Sequence, residues 1–176
     1  MILLFLYVKT IIFVIGAYES GKTSIVKALT GSHGRKTKSN NPRLWYVRTL
    51  NGNRILALVL WSALQEDSEL KNVPPSKIIE KLEEMYGNEY ELIVCPLELN
   101  VGGNLYDFTL YLDVFIANGY DVRVSAIENS WNGRIANISR VRNYLLNKNL
   151  PTVILDIGNS DAHMESRKVR DNLYPP

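Results

Sequence analysis

Apolar and polar positions follow two periods along this chain. Short apolar runs at 10–15, 55–60, 90–97, 120–127 and 152–157 are rich in β-branched residues and bounded by turn formers. That pattern predicts buried strands. Between most of them the apolar residues recur at helical spacing. Ile25, Val26 and Leu29 share one face, with Gly31 where a helix would stop. Ile78, Ile79, Leu82, Met85 and Tyr86 do so over 74–86, with Pro74 and Pro75 near the start and Gly87 after the end. Leu105, Phe108, Leu112, Phe115 and Ile116 mark a helix over 104–118, and Ile135, Ile138, Val141 and Leu145 one over 134–148. A weakly amphipathic stretch at 161–173 predicts the last helix.

One feature breaks the alternation. The strand-like runs at 43–50 and 54–61 are joined by Asn51-Gly52-Asn53. Asn-Gly supplies the positive φ values of a tight turn, so the pair predicts an antiparallel hairpin. The second run is continuously apolar, which makes it the more central strand. Elsewhere, strand following helix predicts a mostly parallel sheet covered on both faces, an α/β/α arrangement of about six strands with one antiparallel hairpin strand. No internal repeat or linker divides residues 1–176, which read as one domain.

Composition changes this picture little. Of 176 residues, 46% are hydrophobic and 22% charged, enough for a sizeable core. A net charge of +2 gives no strong signal for nucleic acid or an anionic membrane. Cys95 is the only cysteine, so no intramolecular disulfide can form, and its apolar setting predicts a buried thiol. His33 and His163 with one cysteine make no zinc site. Residues 1–8 are strongly apolar, but Lys9 ends the run and no span of about 20 residues fits before Gly16. They read as an extension of the first strand rather than a membrane contact, in a cytoplasmic protein. Residues 32–42 are polar, basic and rich in turn formers, which predicts a loop with solvated charge.

The chemistry is concentrated at Gly16-Ala17-Tyr18-Glu19-Ser20-Gly21-Lys22-Thr23, a match to G-x-x-x-x-G-K-[ST] between a predicted strand and a predicted helix. In that context Gly16 lets the chain turn, and Gly21 lets backbone approach a phosphate closely. The N–H groups of Glu19, Ser20, Gly21 and Lys22, with Ser24 in the first helical turn, form an anion nest at a helix N-terminus. Lys22 reaches the β- and γ-phosphates, and the Thr23 hydroxyl ligates Mg²⁺. Nucleotide and Mg²⁺ are therefore the expected ligands.

The order of strand, phosphate loop, helix, basic loop and hairpin, then alternating helices and strands, resembles the small GTPase (Ras/Rab-like) superfamily of P-loop NTPases. Leu60-Trp61-Ser62-Ala63-Leu64-Gln65-Glu66 is similar to that family's L-W-D-T-A-G-Q-E. The carboxylate is replaced by Ser62 or Trp61 and the glycine by Leu64. The resemblance implies a GTP/GDP switch with slow or partner-assisted hydrolysis, and an effector or activator protein as partner. It gives Gln65 the role of orienting the attacking water, alongside Lys22. Thr37 becomes the residue that closes on Mg²⁺ from the basic loop. It aligns Asn129 and Asn132 with the family's base-recognition Asn and Asp, with Trp131 placed to stack on a base. The lysine of that motif is absent, which leaves ATP open beside GTP. A small P-loop kinase is the alternative, with Arg134, Arg140 and Arg142 as a lid and Glu98 or Glu128 as the acid. A non-hydrolysing nucleotide-binding scaffold is a third.

Overall fold

The computed structural model describes residues 8–31, 43–99, 105–130 and 132–176. Strand β1 (Thr10–Gly16) leads into helix α1 (Lys22–Thr30), which ends at Gly31 with φ 66°. Then come the hairpin strands β2 (Leu44–Arg48) and β3 (Arg54–Val59). A short 3-10 turn (Pro75–Lys77) precedes α2 (Ile78–Tyr86) and β4 (Leu92–Glu98). The chain closes with α3 (Phe108–Ala117), β5 (Asp121–Asn129), α4 (Ser139–Lys148), β6 (Thr152–Asp156) and α5 (Ala162–Leu173).

The sheet has six strands in the order β2-β3-β4-β1-β5-β6. Only the β2–β3 pair is antiparallel. The turn residue Gly52 has φ 83°, the conformation the Asn-Gly pair predicts. β1 is central because every residue of it is buried, so both faces need cover. Ile11, Phe13 and Ile15 pack on one side with Leu82 of α2, Phe108, Leu112 and Phe115 of α3, and Val141 and Leu145 of α4. Ile12 and Val14 pack on the other with Ile25, Val26 and Leu29 of α1 and Val169 and Leu173 of α5. The period-2 alternation of a single strand thus creates the three layers, a P-loop-like α/β/α fold.

Two predicted helices begin later than their apolar pattern. α3 starts at Phe108 because Asp107 caps it, accepting hydrogen bonds from Thr109 N at 3.0 Å and Thr109 Oγ1 at 2.6 Å. α4 starts at Ser139 rather than 134. Ser130 N donates to Arg134 O, Ala136 N donates to Glu128 O, and Ile135 bridges Asn129 antiparallel to it. Residues 134–136 therefore extend β5 as a turned-back flap, and Ile135 is left 78% exposed. Among the described residues no helix is long and apolar enough to cross a membrane. Cys95 is fully buried, and burial pushes its thiol well up.

Candidate functional site

β1 and β4 run parallel in a register that sets Gly16 beside Glu98. Immediately beyond Gly16 the chain turns, with Ser20 N donating to Ala17 O at 3.1 Å. A Cβ on Gly16 would run into Ser20 Oγ, so the fold-back needs glycine there. Glu19 (φ 55°) and Gly21 (φ 100°) are both left-handed. Ile25 N donates to Gly21 O as the first α-helical bond of α1. The N–H groups of Lys22, Thr23 and Ser24 precede that bond, at the positive end of the helix.

This loop forms one wall of a cavity of about 390 Å³, made by Tyr18, Glu19, Ser20, Gly21, Lys22 and Thr23. Trp61, Ser62, Ala63 and Glu66 form the other. Of the phosphate-loop residues singled out from the sequence, Gly16 and Ser24 stand outside the lining; Ser24 is exposed. A hydrogen bond joins the two walls, from Thr23 Oγ1 to Trp61 O at 2.8 Å. Two cations lie over the Trp61 ring, Arg43 Cζ at 5.0 Å and Lys27 Nζ at 5.8 Å from its centre. Arg43 also reaches Asp67 at 3.6 Å.

Lys22 is 7% exposed and all three of its ammonium hydrogens have acceptors. They are Ala17 O at 2.7 Å, Glu98 Oε2 at 2.8 Å and Gly16 O at 3.2 Å. Glu98 is 3% exposed, and its other oxygen, Oε1, has no partner among the described residues. Burial raises the Glu98 carboxyl above its ordinary value, while Lys22 works in the opposite direction.

Gln65 is fully buried and does not line the cavity. Expected to face an attacking water, it instead spends both ends of its amide on the backbone of Glu98. Its Nε2 donates to Glu98 O at 3.2 Å, and its Oε1 accepts from Glu98 N at 3.1 Å. The β3–β4 ladder explains this. Its last backbone bond is Leu60 N to Val94 O, and Pro96 has no N–H to offer. Glu98 is the next residue on that edge, and a side-chain amide completes it.

Of the base-recognition candidates, Asn129 and Asn132 do not line the cavity. Asn129 accepts from Ile157 N and Gly158 N through its carbonyl, and its buried Oδ1, without a partner among the described residues, lies against Gly158, where a Cβ would strike it. Asn132 is exposed, and its Oδ1 accepts from Ser130 Oγ and Arg134 N within the flap. Thr37 and Trp131 lie outside the described residues. Of the kinase candidates, Arg140 pairs with Asp107 and Arg142 with Glu128, and neither arginine lines the cavity. Among the described residues no cluster of three or more His, Cys, Asp or Glu is built to hold a metal. The Thr23 hydroxyl suits Mg²⁺, which takes few protein ligands beside phosphate oxygens and water.

No protein-family profile matches this chain, and no curated protein matches it. Among solved structures it is similar to a de novo designed P-loop fold protein, with TM-score 0.47, 11% identity, and 93% of this chain and 90% of that one covered. It is similar to APE1195, with TM-score 0.48, 11% identity and coverage of 94% and 95%. It is also similar to the G-domain of FeoB from Methanococcus jannaschii, with TM-score 0.46, 16% identity and coverage of 92% and 95%. At these identities and scores the likeness carries no argument about activity; the loop's own geometry does.

Proposed function

We propose that this chain binds a nucleoside triphosphate with Mg²⁺ at residues 16–23 and works as a nucleotide-dependent switch. One observation carries the reading. A loop with two left-handed residues, Glu19 and Gly21, delivers a helix N-terminus, a lysine and a threonine to one cavity. Backbone N–H groups held that way favour a polyphosphate over any neutral ligand.

The opposite wall, 61–66, is the part that would report on the γ-phosphate. It touches the loop through Thr23, the residue Mg²⁺ would claim. Hydrolysis by the chain alone is slow in this proposal, because Gln65 is engaged with β4 and Glu19 and Glu66 bring carboxylates to the cavity. A partner protein would speed it and read the state. GTP is the favoured nucleotide on the alignment of Asn129 and Asn132, with ATP its competitor.

Calorimetric titration with GTP, GDP, ATP and ADP, with and without Mg²⁺, tests this. Tighter binding of a triphosphate with Mg²⁺ is the expected result. Absence of binding for all four, in a folded sample, would refute it.

A further inference from the structure

Every hydrogen of the Lys22 ammonium is already committed, so a phosphate oxygen can reach it only by displacing an acceptor. Two of the three acceptors, Gly16 O and Ala17 O, are main-chain atoms at the strand end and the loop's start. The third is a side chain that can swing. Resting on the nucleotide-binding reading above, we propose that Glu98 is an internal competitor of the nucleotide: its carboxylate occupies the place at Lys22 that a β- or γ-phosphate oxygen would take, and so sets the affinity of the site.

Three features favour exchange at Glu98 over exchange at the carbonyls. Glu98 Oε2 is the anionic acceptor of the three, the chemical equivalent of a phosphate oxygen. Its Oε1, in a buried place, has no partner among the described residues, so within them the carboxylate is only half satisfied where it stands. Its main chain is fixed independently, by Gln65 on one side and by the register with Gly16 on the other. The side chain can therefore leave Lys22 without disturbing the end of β4. Glu66 lines the cavity that Lys22 lines and acts on Glu98 as a like charge, which further favours release once phosphate supplies Lys22 with a new anion.

The test compares wild type with Glu98→Gln, using inorganic tripolyphosphate, GTP and ATP by calorimetry in the absence of divalent cation. Tripolyphosphate reads the phosphate loop without any base preference. Glu98→Gln should bind at least about tenfold tighter, as expected when one charge-assisted bond no longer has to be broken. Glu98→Asp keeps the charge but withdraws it by one methylene, and should tighten binding in the same direction by less. It serves equally if the glutamine variant folds poorly. If wild type binds and neither variant binds more tightly, the competitor role is overturned and the nucleotide site stands. If none of the proteins binds any of the three ligands, also after Mg²⁺ is added, the nucleotide reading falls and this inference with it.

Discussion

Gln65 completes the hydrogen bonding of Glu98, taking its N–H at 3.1 Å and its C=O at 3.2 Å where β3 no longer runs alongside β4. A single buried amide thus holds the strand end that carries the acid facing Lys22. It also ties the segment after β3 to β4, one strand nearer the phosphate loop.

Replacing Gln65 should therefore cost stability first. Gln65→Leu leaves a buried N–H and a buried C=O of Glu98 without partners, worth roughly 1–3 kcal/mol each way. Denaturant unfolding should show a lower midpoint with an unchanged slope. An unchanged midpoint together with slowed NTP turnover would restore the water-orienting role that the sequence suggests.

Thr23 links the two walls of the cavity through Trp61 O. Thr23→Ala should remove most of the gain in nucleotide affinity that Mg²⁺ provides, about tenfold or more. Affinity measured in chelator should change far less. Equal losses with and without Mg²⁺ would mean that Thr23 acts on the loop's shape and not on the metal.

Asp107 caps α3 and pairs with Arg140 at 2.7 Å. Burial raises its carboxyl, but hydrogen bonds from Thr109 and the Arg140 charge outweigh it, and the net value lies below the ordinary one. A depressed carboxyl stabilises the fold above its unfolded-state value, and that contribution is lost as pH falls through the folded-state value. Asp107→Ala should cost about 1 kcal/mol near neutrality and flatten the acid limb of the stability profile. An acid limb identical to that of wild type would contradict the assignment.

The fold was largely legible in the sequence because its signals are local. Asn51-Gly52 carries its own turn, Gly31 its own helix end, and the run at 10–15 its own burial. Strand order is not local, and that hid the centre of the site. Nothing in the chain near Glu98 says that β4 lies between β1 and β3, and the resemblance directs attention to the end of β3, where Ser62 or Trp61 stands in place of a carboxylate. The kinase alternative gives Glu98 the part of an acid and not that of the partner of Lys22. The place of Gln65 is illegible for a related reason. A polar residue in a turn-rich stretch reads as exposed, while its burial comes with its bonds to the Glu98 main chain, in a segment where Ala63 and Leu64 are buried too. The missing N–H of Pro96 was the available signal that this edge of β4 needs help. The late start of α4 follows from residues 134–136 pairing back on β5, a choice that apolar periodicity cannot register.

The phosphate loop itself is best tested by removing its cation without stranding a buried acid. Lys22→Ala, made in the Glu98→Gln background, leaves no unpaired carboxylate behind and so separates binding from folding. Nucleotide affinity should fall at least about tenfold below that of Glu98→Gln alone, the loss of charge-assisted bonds to phosphate. Affinity equal to that of Glu98→Gln, in a protein with the same unfolding midpoint, would mean that nucleotide does not bind at residues 16–23.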